Sequence, residues 1–296
     1  MKQHAASLLA LAWLALPLPA QAAPDAMRTV PAGVARIGSD QGRADERPAF
    51  TIPVDAFELD RTPVTVAAFA GFVAQRGYRT QAERLGSGAV MTFGTGRWQL
   101  VPGADWRRPL GPSGAPAPRD HPVTQVSWDD AQAYCAAQGK RLPTEIEYEY
   151  AARRGAPEIG AHAFGAALAQ GGRYRANVWT GVFPVINTAD DGYRATSPVG
   201  AFAPDALGLH DMAGNVWEWT EDWYRPYPQR NEAWPAGRSG EKVQRGGSFL
   251  CDPKFCYGFR LTSRGHAAPD SAHMHVGFRC ARSLAPPLAR ASDQPN

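Results

Sequence analysis

Four cysteines, Cys135, Cys251, Cys256 and Cys280, stand in the chain. Two of them share the stretch Arg245-Gly246-Gly247-Ser248-Phe249-Leu250-Cys251-Asp252-Pro253-Lys254-Phe255-Cys256. Thiols at that spacing, across a turn containing Pro253, can converge on one point. Soft thiolates select Cu(I), Zn(II) or iron–sulfur centres, and a lone pair of them suits Cu(I), which accepts low coordination. In an oxidising compartment the same spacing serves a structural disulfide, and spacing alone favours that reading. A zinc site using all four cysteines would lack the paired Cys-x-x-Cys knuckles such sites are built from.

Two further groupings offer oxygen ligands. In Leu207-Gly208-Leu209-His210-Asp211-Met212-Ala213-Gly214-Asn215-Val216-Trp217-Glu218, two acids flank a glycine turn whose carbonyls can point inward with them, as Ca²⁺ requires. An ordinary capped loop with solvated acids fits the spacing equally well. In Asn177-Val178-Trp179-Thr180-Gly181, running on to Asp190-Asp191-Gly192-Tyr193, an amide and a carboxylate meet across a long turn. That arrangement suits a hard cation or a plain Asx-turn.

The elements that must position these groups are short. Val30 to Val34 and Phe50 to Leu59 read as strands between turns. A helix follows Pro63, with Val66, Phe69, Ala70 and Val73 on one face and Gly77 as its stop. Residues 86–122, rich in Gly and Pro around Trp98 and Trp106, read as a long ordered loop region pinned by its aromatics. Ser127 caps a second helix that carries Cys135 on the face of Ala131 and ends before Gly139. Thr144 and Glu147 form a capping box for a third, which runs to about Arg154 and stops at Gly155. Beyond 160 helical periodicity disappears.

Composition agrees. Thirty glycines and 26 prolines among 296 residues make up about 19% of the chain, against an average nearer ~12%. The chain is therefore rich in turns. The apolar fraction of 44% and charged fraction of 20% define a soluble globular protein. With 31 basic and 28 acidic residues and no basic run, nucleic acid is not an expected partner. Met1-Lys2, the apolar run Ala5 to Leu18 and the small-x-small site Ala20-Gln21-Ala22 read as a cleaved export signal over residues 1–22. The expected mature protein is periplasmic and free of the membrane after cleavage. It comprises one α+β domain over 28–284 and a polar tail over 285–296.

In order, Val30-Pro31-Ala32-Gly33, His121-Pro122-Val123, Val126-Ser127-Trp128, Lys140-Arg141-Leu142-Pro143-Thr144-Glu145, Gly214-Asn215-Val216-Trp217-Glu218-Trp219, Arg245-Gly246-Gly247-Ser248 and Gly277-Phe278-Arg279-Cys280 resemble the formylglycine-generating enzyme (sulfatase-modifying factor) family. The resemblance covers about residues 28–282. It implies a single compact domain of C-type-lectin-like ancestry with little regular structure. It also implies a copper-dependent oxidase that uses Cu(I) and O₂ on a peptide or peptide-siderophore substrate, as a monomer. Position by position, Cys251 and Cys256 fall on the redox-active Cu(I) pair, overriding the disulfide reading, and Cys135 and Cys280 fall on a structural disulfide. Ser248 and Trp217 match pocket residues beside the metal, and Arg264 a basic pocket residue. Asn177, Val178, Asp191 and Tyr193 match one structural Ca²⁺ site, with Val178 and Tyr193 acting through their carbonyls. Asp211, Gly214, Val216 and Glu218 match the other. In the family the substrate's cysteine thiolate joins the copper, its Cβ is oxidised, and the thioaldehyde hydrolyses to formylglycine.

Three departures surround the pair. Asp252 replaces a His, Phe255 a Tyr, and His275, within His273-Met274-His275, an Asn. Together with export, they lean the expectation slightly toward a periplasmic branch of the family that oxidises the chromophore precursor of the siderophore pyoverdine. Conversion of a sulfatase cysteine and a non-catalytic, calcium-stabilised binding module are the alternatives.

Overall fold

In the computed structural model, which describes residues 27–155, 162–165, 167–235, 237 and 239–284, the two ends of the domain meet in one sheet. Strand Phe57–Asp60 takes Met27–Val30 along one edge and Ala281–Ser283 along the other, both antiparallel. The leader assigned to 1–22 and the tail 285–296 lie outside the described residues.

The helices start and stop where local chemistry requires. Helix α1 (Val66–Arg76) begins where Thr65 Oγ1 accepts from Ala68 N–H, and ends at Gly77, whose φ of 59° places it in the left-handed region. Helix α2 (Gln81–Leu85) opens with a reciprocal Thr80/Glu83 capping box. Helix α3 (Trp128–Ala137) is capped by Ser127 and Asp130 in the same way. Before α4 (Glu145–Gly155), Thr144 N–H donates to Glu147 at 2.8 Å, and Glu147 N–H returns to Thr144 Oγ1 at 3.1 Å. These contacts satisfy backbone donors that each first turn leaves open.

Phe69 and Phe72 of α1 meet Tyr134 of α3, with Trp106 and Phe278 closing the cluster at centroid distances of 5.4 to 6.3 Å. Cys135, one residue beyond Tyr134, bonds to Cys280 with Cα atoms 5.6 Å apart. That bond ties α3 to the C-terminal edge strand's approach.

A four-stranded sheet carries the chemistry. Its order is Gly265–Ala267, Lys242–Arg245, Trp217–Trp223, Val276–Gly277; the last pairing is parallel and the others antiparallel. Trp217, Glu218 and Arg245 lie on it, and Arg279 follows just beyond its last strand. Small hairpins complete the α+β domain.

One of them differs from the sequence reading. Residues 86–102, expected to be loop, form a hairpin of Ser87–Thr92 and Arg97–Pro102, turning through Gly94 (φ 88°) and Gly96 (φ 69°). The second strand is almost wholly exposed. Its burial shows no in/out alternation, and its sequence signals are brief: the Gly94-Thr95-Gly96 turn and the four-residue alternation Arg97-Trp98-Gln99-Leu100.

Beneath the sheet sits a buried lattice of arginines and carboxylates. Arg245 reaches Glu145 at 2.9 Å and Glu149 at 2.7 Å from α4. Arg264 grips Glu145 through two bonds of 2.6 and 2.9 Å. Removing one partner of such a buried pair leaves an uncompensated charge, at a cost of roughly 3–5 kcal/mol. Arg245→Met is expected to lose stability of that order in chemical denaturation; a loss below ~1 kcal/mol would show that the lattice adds little.

Candidate active site

Arg245 ends its strand, and the chain then turns through Gly246 (φ 93°) and Gly247 (φ 73°). A Cβ on Gly246 would lie 2.5 Å from the Tyr148 hydroxyl, and one on Gly247 2.5 Å from Phe259 N, so both turns require glycine. The turn delivers Ser248, whose carbonyl accepts from Cys251 N–H at 2.8 Å. Asp252 then builds the return. Its Oδ1 accepts from Lys254 N–H, and its carbonyl accepts from Phe255 N–H and Cys256 N–H at 3.1 and 2.9 Å. The first departure from the family pattern is thus the cap of the turn that folds Cys256 back onto Cys251.

The two sulfurs converge at 2.6 Å, as free cysteines. Cys251 is buried and Cys256 half-buried. Ser248 N–H points at Cys251 Sγ from 3.5 Å. A Cβ on Gly258 would lie 2.7 Å from Cys251 Sγ and 2.5 Å from the Trp217 ring, so the indole, Gly258 and the thiol are packed in direct contact. Trp217 is therefore the wall behind the pair. Ser248 is fully buried, and its hydroxyl accepts from Leu250 N–H; its backbone, rather than that hydroxyl, addresses the sulfur.

The pair shares one proton unevenly. Burial pushes the Cys251 thiol well up. Cys256 is brought down from the usual 9.0 to about 7, chiefly by the hydrogen bond from the Cys251 thiol, then by Gly258 N–H and the charge of Arg43. Cys256 is the thiolate near neutrality. In reduced, metal-free protein its alkylation rate is expected to rise with pH to a plateau around a midpoint near 7, with Cys251 labelled far more slowly. A midpoint near 9, or labelling of Cys251 first, would contradict that assignment. Because the folded value lies below the unfolded one, the stability contributed by the thiolate is present above the unfolded pKa and is lost as pH falls through about 7.

Arg264 is placed elsewhere than expected. Its guanidinium is spent on Glu145 and on the carbonyls of Asp45 and Arg225, between the rings of Tyr224 and Tyr227. It is a lattice residue, not a free basic group in the thiol pocket, because the buried Glu145 carboxylate claims it. Nor, among the described residues, does the His275 ring make a hydrogen bond or ring contact with the thiol loop. It packs on Trp98 at 4.9 Å, with His273 5.8 Å away, and burial pushes it down to about 3.

The two groups of oxygen ligands differ. Val178 N–H and Tyr193 N–H both donate to Asp191, at 2.8 and 3.0 Å, so all four residues of the first group are drawn together. Asn177 donates to Ala195 O and Asn215, while its Oδ1 is buried with no hydrogen-bond partner. Burial pushes the Asp191 carboxyl up, with Asp190 beside it adding to the rise. An orphaned amide oxygen next to a poorly compensated carboxylate fits a hard cation. In the second group, Glu218 is already held by Arg279 at 2.6 and 2.8 Å and by the Tyr148 hydroxyl at 3.2 Å. Asp211 accepts from Gly200 N–H. Arg279 thus balances the buried Glu218 charge, whereas the first group has no such cation beside its carboxylate in any ion pair among the described residues.

The glycine-cornered thiol loop on a mixed sheet, closed by a helix-to-C-terminus disulfide, defines a class. The chain belongs to the sulfatase-modifying factor family: residues 15–284 match the sulfatase-modifying factor enzyme 1-like domain. It is 43% identical over 258 residues to the formylglycine-generating enzyme of Streptomyces coelicolor, covering 80% of this chain and 81% of that one. It is also 39% identical over 285 residues to the inactive Cα-formylglycine-generating enzyme 2 of Mus musculus, covering 88% of this chain and 87% of that one. Among solved structures it resembles PvdO from Pseudomonas aeruginosa, at 28% identity and a TM-score of 0.65, covering 87% of this chain and 94% of that one.

Proposed function

We propose that the chain is an exported, copper-dependent oxidase of formylglycine-generating type, with Cys251 and Cys256 as its Cu(I) ligands and O₂ as co-substrate. Similarity to both active and inactive relatives makes overall identity a poor arbiter of activity. The observation that carries the reading is the convergence of two free thiols, one buried and one half-buried, in a chain whose other two cysteines are already joined. A binding module has no use for such a pair. The donor set suits Cu(I): two sulfurs at one point, with no third His, Cys, Asp or Glu completing a metal cluster among the described residues.

Bound copper would supply one-electron chemistry with O₂ that no side chain performs. The chain's own groups do the rest. Gly258 N–H favours the thiolate form of both sulfurs, Arg43 adds positive charge beside Cys256, and Trp217 closes the rear of the pocket. Oxidising a substrate Cβ–SH to a thioaldehyde releases two electrons and two protons; water then replaces sulfur, giving the aldehyde and H₂S. Full reduction of O₂ to water takes four electrons, so an external thiol supplies the other two, or the oxygen leaves as peroxide.

The preferred substrate is a polypeptide cysteine, in keeping with the relatives named formylglycine-generating enzymes. A siderophore chromophore precursor is the second reading, favoured by the likeness to PvdO and by the exposed Phe255 beside the thiol pair. Offering two cysteine peptides, Cys-x-Pro-x-Arg and one with Phe and Asp flanking the Cys, beside a dihydropyoverdine-type precursor, with products read by mass spectrometry, decides between them. Peptide aldehyde supports the first; chromophore oxidation without aldehyde overturns it in favour of the second.

Asn177, Val178, Asp191 and Tyr193 are proposed to hold a structural Ca²⁺. A ligand at a hundredfold over its Kd stabilises by about 2.7 kcal/mol, so Ca²⁺ should raise the melting temperature by roughly 5–10 °C. Asp191→Asn should remove most of that rise, and an unchanged shift would eliminate the site.

A further inference from the structure

Cys256 reaches the surface between two exposed rings. Phe255 is 67% exposed and Tyr257 42%, and the two sides they mark differ in chemistry. On the Phe255 side the surface is apolar. Phe255 stacks on Phe183 at 4.9 Å, Phe183 packs edge-on to Trp179, and Phe93 lies against Trp179. The hairpin flanking Phe183 exposes Val182, Val185 and Ile186 at 55 to 61%. Gly94 N–H donates to Pro184 O, joining this hairpin to the one that carries Phe93. Exposed apolar side chains grouped in this way mark a contact surface.

On the Tyr257 side the surface is cationic. The guanidinium of Arg43 lies 6.0 Å from the Tyr257 ring centroid and that of Arg260 5.3 Å. Arg260 is paired with Glu46, but among the described residues Arg43 takes part in no ion pair. Arg260 also lines a cleft of about 300 Å³ with Arg36 and Arg153.

We infer that this two-sided lip selects the substrate of the proposed oxidase: a peptide or peptide-like molecule that presents an aromatic or branched apolar group on one side of its reacting atom and a carboxylate on the other. The inference rests on the thiol pair being the reaction centre, because only then must a ligand enter between Phe255 and Tyr257. Continuity of both surfaces with Cys256, and the charge of Arg43 beside it, argue for that occupant over a second copy of this chain.

The test uses fluorescein-labelled short peptides with Ser in place of the reacting Cys, so that binding is read without turnover. The Ser is flanked by Phe and Asp in both orders, with Gly replacing Phe or Lys replacing Asp as controls. Fluorescence anisotropy on the folded wild-type protein is expected to show about fivefold or more loss on Phe→Gly and about tenfold loss on Asp→Lys. Phe255→Ala should erase only the first discrimination. Arg43→Glu should invert only the second. Equal binding of all peptides, or discriminations that survive both variants, overturns the inference. So does a Phe255→Ala effect seen solely as lost self-association in sedimentation. Cu(I) titration of the same samples separates the two levels: intact copper binding with indiscriminate peptide binding sinks this inference alone, whereas absent copper binding sinks the oxidase reading on which it rests.

Discussion

Cys251→Ser and Cys256→Ser are each expected to abolish stoichiometric, high-affinity Cu(I) binding while leaving the fold intact, as read by chelator competition and near-ultraviolet circular dichroism. Both sulfurs are needed because Cu(I) at this point has no third protein donor among the described residues. The fold should survive because the loop is held by its backbone turns at Gly246, Gly247 and Asp252 rather than by a bond between the sulfurs. The two variants should differ in their remaining thiol. With Cys251 gone, Cys256 loses the hydrogen bond that contributes most to its lowering, and its alkylation midpoint should move up. A variant that still bound one tight equivalent of Cu(I) would place the metal elsewhere.

The second large effect is on stability. Cys135 and Cys280 are 145 residues apart in sequence, and a crosslink over so long a loop restricts the unfolded chain by about 5 kcal/mol in the chain-entropy model. The double variant Cys135→Ala/Cys280→Ala should therefore melt roughly 10–20 °C lower. It should bind Cu(I) unchanged at temperatures where it remains folded, since the bond lies between α3 and the C-terminal segment and shares no atom with the thiol loop. Loss of copper binding in a folded double variant would merge the two roles that the structure separates.

How far these features could be read in the sequence depended on whether their cause was local. The helix caps at Ser127 and Thr144 were legible because a capping side chain reaches only three residues along the chain. The role of Asp252 is local too, but a replaced residue beside a reactive thiol invites a chemical explanation before a structural one. The hairpin 87–102 was hidden because its outer strand is largely exposed and its alternation, Arg97-Trp98-Gln99-Leu100, is only four residues long within a Gly- and Pro-rich stretch. The buried lattice was hidden for the opposite reason. Glu145 and Glu149 are four apart on α4, a pattern ordinarily solvated, and only the tertiary approach of Arg245 and Arg264 shows them facing inward. The same cause moved Arg264 out of the pocket: its position in sequence suggested a basic group near the thiols, and a carboxylate 119 residues away decided where it points. Of the two oxygen-ligand groups, Asn177 and Asp191 come together as their spacing allowed. Glu218 meets Arg279, 61 residues further on, which no local pattern could have indicated.

The most direct test of the central claim is substrate-dependent oxygen uptake by reduced protein loaded with one equivalent of Cu(I), measured beside the metal-free protein and copper-treated Cys256→Ser, with the cysteine peptide and the chromophore precursor each supplied in turn. The account predicts uptake only in the copper-loaded wild type and with at least one of the two substrates. Uptake that persists without copper or without Cys256, or its absence from the loaded wild type with both substrates, would contradict a copper–thiolate oxidase at Cys251 and Cys256.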